Sequence, residues 1–232
     1  MITGILVALP EELRTLTNSK LKQGECLSVA KNALVTLSGA GTDNASIAAQ
    51  NLIDSGASQL MSWGCAGALA PHLKAGDLVI PSAIHSRDNI QLATQPDWSK
   101  QIINQLRQSI KCYDGQLFES GSVISLARDK AEQYQQTGAL AVDMESGAIA
   151  RVAQQANIPF VAIRSIVDPA NMDLPKAIDH AMTDEGVISI PKLMLYLCRH
   201  PWELPSLINT ALHFSTASKT LKTVACQLPQ IT

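Results

Sequence analysis

The chain of 232 residues is 46% hydrophobic and 16% charged with a formal net charge of -2, proportions that suit one soluble globular domain with a sizeable core. No basic excess points to a nucleic-acid partner. Five cysteines (Cys26, Cys65, Cys112, Cys198, Cys226) are scattered without a Cys-x-x-Cys pair, so neither a disulfide framework nor a metal site is expected, and the expected compartment is the reducing cytoplasm.

In chain order, the apolar start lacks a basic leader and runs into Glu11 and Glu12, so it reads as a first strand over 3–8 rather than a signal peptide. A helix is predicted over 11–16, then strands over 26–30 and 33–37, a helix over 43–54 and a strand over 60–63. A strand over 78–83 follows, then a loop over 92–97 containing Pro96, read as the best candidate for a mobile or interface segment. Beyond it come a helix over 98–110, a strand over 117–124 and a helix over 129–135. A strand over 139–142, a helix over 144–156 and a strand over 159–166 complete a strand-helix-strand unit, and helices are predicted over 187–197 and 205–224. The apolar run 187–198 is interrupted by Pro191 and Lys192 and is too short to span a bilayer. The alternation predicts an α/β fold in three layers, a central mixed twisted sheet flanked by helices, as one domain over 1–232 with 187–228 as a C-terminal helical extension.

Two glycine-bearing turns are read after strands. Ser38-Gly39-Ala40-Gly41 leads into a helix, where main-chain N–H groups can approach an anion or a hydroxyl, and Gly64-Cys65-Ala66-Gly67 is the second. The first fails as a dinucleotide fingerprint because Asn44 stands where the third glycine belongs, which weakens an oxidoreductase reading. Three acids, Asp143, Glu145 and Asp168, fall at the carboxyl ends of strands, where ligands sit in open α/β sheets. An acid at the rim of a buried strand is costly unless it has a partner or a task. Singly, each has an ordinary explanation: Asp168-Pro169 as a turn, Glu12 as a first-turn helix acid, Arg164 as a structural partner, Met144 as core. Cys65 and the five histidines read as structural.

The order Ala8-Leu9-Pro10-Glu11-Glu12, Ser38-Gly39-Ala40-Gly41, Gly64-Cys65-Ala66-Gly67-Ala68-Leu69, Gly76-Asp77, Val142-Asp143-Met144-Glu145 and Arg164-Ser165-Ile166-Val167-Asp168 resembles the purine nucleoside phosphorylase and methylthioadenosine/S-adenosylhomocysteine nucleosidase superfamily. With Ser62-Trp63-Gly64, 137–146 and 199–205, it looks most like the hopanoid-associated phosphorylase branch, linked to removal of adenine from adenosylhopane. The resemblance implies roles residue by residue. Glu145 would hold the ribose hydroxyls with Met144 packed on the sugar, Asp168 would protonate N7 of the departing purine, and Glu12 would activate the attacking water. Arg164 would lie near the carboxylates, and Ser38, Gly39 and Gly64 would belong to the glycine turns beside the nucleophile. Val123, Ile124 and Ser125 would line the base, with the main chain of Ser125 reading adenine. No cofactor is implied, though phosphate is a possible co-substrate. Ser62 and Trp63 stand where phosphorylases usually carry a phosphate-binding arginine, which favours hydrolysis, while Arg14 stands where related phosphorylases carry another, which favours phosphorolysis. Val167 replaces a serine common in nucleosidases and Ile124 an aromatic base-stacker, which points away from methylthioadenosine itself. The resemblance further implies a homodimer or larger, in which a neighbour's 92–98 segment closes the 5′ end of the pocket. The 5′ side is expected to open on an apolar C-terminal surface in weak peripheral contact with the membrane. A catalytically silent nucleoside-binding module would have lost one of Glu12, Glu145 and Asp168, and none is lost.

Overall fold

The computed structural model describes residues 1–181 and 189–227. The first half runs β1 (Thr3–Val7), α1 (Pro10–Leu13), β2 (Cys26–Ala30), β3 (Ala33–Leu37), α2 (Thr42–Asp54), β4 (Gln59–Ala68), β5 (Leu78–Val79), β6 (Ala83–His85), β7 (Gln91–Ala93), α3 (Pro96–Leu106) and β8 (Cys112–Tyr113). The second half runs β9 (Gln116–Glu119), α4 (Ala127–Thr137), β10 (Ala141–Asp143), α5 (Ser146–Gln155), β11 (Phe160–Asp168), α6 (Lys176–Ala181), α7 (Ile190–Arg199) and α8 (Leu204–Ala225).

One mixed sheet carries these strands in the order β2-β3-β1-β4-β10-β9-β6-β7, with β11 paired to β4 and to β5, and β8 beyond β5. β1 is parallel to β3 and β4, and β4 is parallel to β11. Their carboxyl ends therefore rise at one edge of the sheet, which brings the residues after β1, β3 and β11 together. The strands are apolar on both faces because both are covered. Leu6, Leu60 and Ala162 face α2 and α5, where they meet Leu52 and Ile149. Their neighbours Ile5, Val7, Met61, Trp63, Val161 and Ile163 point the other way, onto α1, α3 and α8. The mixed sheet between two helical layers is the architecture predicted from the alternation.

Several details differ from the sequence reading, each for a local reason. Gly64-Cys65-Ala66-Gly67 is not a turn. It is the second half of the ten-residue strand β4, held in the sheet by β11 on one side and by β10 at Gly67 and Ala68. The strand expected over 78–83 is divided by Pro81, which has no N–H for the ladder, into β5 and β6. The strand expected to run to residue 124 stops at Glu119, where the Ser120 hydroxyl donates to the Ser122 carbonyl at 2.6 Å and turns the chain. The 92–97 segment is not a free loop. Leu92 and Thr94 are buried, the Gln95 N–H donates to the Phe160 carbonyl, and Pro96 starts α3 at the position where a missing N–H costs nothing. Helix α5 begins at Ser146 rather than residue 144. Residues 187, 188 and 228 lie outside the described residues. Helix α8 is more than an appendage, since Leu221 and Val224 are buried within the core beside Ile5 and Trp63.

Candidate active site

The edge where β1, β3 and β11 end holds a buried charge cluster. Helix α1 is one turn long, and Glu12 folds back so that Oε2 accepts the N–H groups of Ala8 and Leu9, both at 3.1 Å. Its Oε1 accepts the Cys65 N–H at 2.8 Å. Glu12 is 4% exposed, and burial pushes its carboxyl above the ordinary range against the pull of Arg164 and these three N–H donors. Glu145, 8% exposed, precedes α5 and accepts the Gly41 N–H on Oε1 at 3.0 Å. Burial, and then the neighbouring Asp143 carboxylate, raise its pKa to about 7. The N–H that the Ser38-Gly39-Ala40-Gly41 turn offers to an anion is thus directed at the chain's own carboxylate.

Arg164, 2% exposed, organises the acids. Its Nη2 contacts Asp143 Oδ2 at 2.7 Å and donates to Ser62 Oγ at 2.6 Å and Ser146 Oγ at 3.0 Å. Asp143, the third acid of the rim, is therefore the ionic partner of the guanidinium. Two glycines of β4 make room for this arrangement. A Cβ on Gly64 would overlap Glu12 Oε1 and Arg164 Nη1, and one on Gly67 would stand 3.0 Å from Asp168 Oδ1.

Asp168 closes β11 beyond a register shift against β4, between Ile166 and Asp168, an irregularity of the kind that re-aims a side chain. It is 5% exposed, and its partner was not anticipated: Lys130 Nζ of α4, wholly buried, lies 2.6 Å from Asp168 Oδ2. The same ammonium donates to the carbonyls of Met172 at 2.8 Å and Pro169 at 3.3 Å. Burial raises the Asp168 carboxyl and Lys130 opposes the rise, with the net direction upward. A signal for Lys130 was present in the sequence: Leu126, Lys130 and Tyr134 share one helical stripe, and Tyr134 packs on the core.

Two adjoining cavities reach the cluster at Gly41, whose N–H Glu145 accepts, and at Met144; Glu12, Glu145, Arg164 and Asp168 line neither. The smaller, about 310 Å³, is lined by 40–44, Ser120, Gly121 and Met144; the larger, about 770 Å³, is lined by 120–126, by Asp129 and its neighbours on α4, and by 173, 174 and 176. They share Ser120 and Gly121. Met144 thus faces the smaller cavity between two buried acids, and Val123, Ile124 and Ser125 face the larger. The Ser125 carbonyl accepts the Leu174 N–H at 2.8 Å, tying that loop to the segment after β11. Ser38 is buried and its hydroxyl donates to the Val7 and Gly39 carbonyls, so it fixes the turn to the end of β1. Arg14, two residues past Glu12, is exposed on the outside of the short helix, and the phosphate-binding position assigned to it is not part of the cluster.

A third ion pair, the buried Glu119 with the half-buried Arg151 at 2.7 Å, escaped the sequence reading because its members stand 32 residues apart in unremarkable surroundings. It joins β9 to α5 beside Asp143, which pairs with Glu119 across the β9–β10 ladder.

A family model described as the phosphorylase superfamily matches residues 3–189. The chain belongs to this superfamily. Among curated relatives, it is 32% identical over 180 residues to the 5'-methylthioadenosine/S-adenosylhomocysteine nucleosidase of Shewanella frigidimarina, covering 68% of this chain and 78% of the relative. It is 30% identical over 212 residues to that of Tolumonas auensis, covering 77% and 91%. In fold it is similar to the Helicobacter pylori nucleosidase of the same name solved with butyl-thio-DADMe-Immucillin-A, at a TM-score of 0.73 and 18% identity, covering 99% and 96% of the two chains. The futalosine hydrolase of Helicobacter pylori follows at 0.70 and 19%, covering 99% and 96%. As a phosphorylase-superfamily member, the protein is an enzyme acting on N-glycosyl bonds.

Proposed function

We propose that this enzyme hydrolyses the N-glycosidic bond of a 5′-substituted adenine nucleoside, releasing adenine. The observation that carries the reading is the convergence of Glu12, Glu145 and Asp168, from three separate segments, on one buried edge of the sheet, which meets the smaller cavity at Met144 and at Gly41, whose N–H Glu145 accepts. An adenine anion is a poor leaving group, so scission of its bond to C1′ needs a proton on the base and support for a cationic, oxocarbenium-like sugar. Asp168, its carboxyl raised by burial, supplies the proton at N7; Glu145 in its ionised form grips the ribose hydroxyls and balances the sugar cation, with Met144 against the ring. Glu12, held by three N–H groups, takes the proton of the attacking water. Val123, Ile124 and Ser125 line the base. General acid catalysis of this kind contributes about 10²–10⁴-fold, roughly 3–5 kcal/mol of barrier, and positioning contributes the remainder. The reaction is carried by side-chain acids and bases and calls on no cofactor.

Water rather than phosphate is favoured as nucleophile because the two arginines singled out by the sequence are otherwise placed, Arg164 engaged by Asp143, Ser62 and Ser146 and Arg14 pointing outward; Arg87, beside Gly121 at both cavities, is the arginine that the phosphate arm of the test addresses. The proposed substrate is a lipid-linked nucleoside of the adenosylhopane type. Supporting it is a row of exposed apolar side chains on α7, α8 and the turn between them, Met194, Leu195, Trp202, Leu204, Ile208 and Leu212, suited to weak peripheral contact with a bilayer. No helix of the described residues is long and apolar enough to cross a membrane. The test is adenine release, with and without phosphate, from adenosylhopane in vesicles and from methylthioadenosine. Release from the vesicle substrate without phosphate is expected, with Ile208→Ser/Leu212→Ser slowing that substrate alone. Obligatory phosphate would overturn hydrolysis, and a preference for methylthioadenosine untouched by the double variant would overturn the lipid-linked substrate.

A homodimer or larger is proposed as the working form, with the exposed residues 93 and 95–97 of the 92–98 segment and a second set of exposed apolar side chains as its candidate surfaces. Leu92 and Trp98 are buried in their own subunit, whereas Ile47 is exposed on α2, whose first turn lines the smaller cavity, Val123 is exposed in the larger cavity and Ile90 is exposed in the β6–β7 turn. Sedimentation velocity should find a dimer or larger species that Ile47→Glu or Ile90→Glu dissociates; an active monomer in the wild type would remove this surface from the site.

A further inference from the structure

We propose that Lys130 is a positioning residue for the proton-donating step, holding Asp168 by Oδ2 so that the other carboxyl oxygen serves the departing base. The inference rests on the reading of Asp168 as the proton donor. Its basis is geometric. Lysine is almost never fully buried without a partner, and here an ammonium with no exposure has three acceptors for its three protons: Asp168 Oδ2 at 2.6 Å, Met172 O at 2.8 Å and Pro169 O at 3.3 Å. Two of those acceptors belong to the segment directly after Asp168, so one helix side chain fixes both the carboxyl and the chain that leaves β11. Gly67 completes the slot from the β4 side, leaving the carboxyl little freedom to turn.

The chemical consequence follows from charge. Asp168 enters the step protonated; the O–H bond breaks, the proton passes to N7 of the base, and the electron pair of the C1′–N9 bond moves into the purine. The carboxylate that remains is left against an ammonium 2.6 Å away and not against apolar side chains. Lys130 keeps its own protons throughout, the attacking water gives its proton to Glu12, Glu12 releases it to solvent, and solvent returns one to Asp168. An adjacent cation favours the ionised product of the transfer over the neutral reactant, so Lys130 makes Asp168 a stronger donor while narrowing the pH range over which it is loaded. The charged and titratable groups facing Asp168 are Lys130 from α4, His213 from α8 and Cys65 from β4, and Lys130 alone among them is in contact.

The experiment compares Lys130→Met, Lys130→Arg, Asp168→Asn and the Lys130→Met/Asp168→Asn pair on an adenine nucleoside and on p-nitrophenyl riboside, whose leaving group needs no proton. Lys130→Met should lose about 10–100-fold on the adenine nucleoside and less than about threefold on the nitrophenyl substrate. Its alkaline limb in kcat should move to higher pH, and Lys130→Arg should restore the limb. In the Asp168→Asn background, Lys130→Met should cost nothing further, and this pair, free of an unpaired buried charge, supplies folded protein should the single variant fail to fold. Equal losses on both substrates, an unmoved alkaline limb, or additive losses in the pair would make Lys130 a purely structural tie. Failure of the underlying reading is distinct: Asp168→Asn alone would then lose equally on both substrates.

Discussion

Glu145→Gln is expected to lower turnover of an adenine nucleoside by about 10²–10³-fold while making the protein more resistant to unfolding at alkaline pH. The substitution keeps the volume, and the amide oxygen still accepts the Gly41 N–H; what disappears is the charge opposite the developing sugar cation. In the wild type, the folded chain holds the Glu145 pKa near 7 against an ordinary value of 4.5. A raised carboxyl contributes stability that is complete below the unfolded value and is lost as pH rises through the folded one. Wild-type stability from this group should therefore decline between about pH 4.5 and pH 7 and stay low above it. At about 1.4 kcal/mol per pH unit, that interval sets a ceiling of about 3–4 kcal/mol, several degrees in melting temperature for a chain of this size. Melting curves of both proteins from pH 5 to pH 8.5 should converge in acid and separate in base. Near wild-type turnover would remove Glu145 from the sugar, and parallel melting curves would show that its charge carries no cost.

The second large effect is expected from Asp168→Asn, a loss of about 10²–10⁴-fold on adenine nucleosides with p-nitrophenyl riboside largely spared. Asparagine can still accept from Lys130 through its amide oxygen, so the slot between α4 and β11 stays filled while the transferable proton is gone. The difference between the two substrates is the decisive quantity. Because the change leaves a buried ammonium without its counter-charge, melting temperatures belong beside the rates, and a protein folded at assay temperature yet equally slow on both substrates would argue that Asp168 acts through binding instead.

How much of this was legible in the sequence depended on which physical signal each element carries. The long parallel strands announce themselves through unbroken apolar runs, and β1, β3 and β11 lie within a residue or two of where those runs place them. The fate of Gly64-Cys65-Ala66-Gly67 could not be read the same way, because glycine is punctuation locally and clearance globally. Its strand conformation comes from two partner strands and from the carboxylates packed against the missing Cβ positions, none of which is adjacent in sequence. Strands β7 and β8, of three and two residues, are too short to show a period. The acids at strand ends were visible as an unusual cost awaiting a reason, but the reasons differ. Asp143 is answered by Arg164 and Asp168 by Lys130, long-range pairings that no spacing rule predicts. Lys130 in particular hides within Arg128-Asp129-Lys130, a charged stretch that reads as solvated surface until its stripe with Tyr134 is noticed.

The packing of α8 bears on how the molecule is made. Leu221 and Val224 are buried in the core on the helix that packs across β11 and β4, and the Thr220 hydroxyl donates to the Gly76 carbonyl, 144 positions earlier in the chain. While the polypeptide is still being synthesised, Ile5, Met61, Trp63 and Val161 must wait with one side uncovered until this helix leaves the ribosome. Assembly is accordingly a late, long-range closure, slow by the measure of contact order, and the interval beforehand exposes strand faces prone to association with other nascent chains. Synthesis arrested just short of α8 should yield ribosome-bound chains that recruit holding chaperones and are readily cut by protease, with protection arriving abruptly once the helix has emerged.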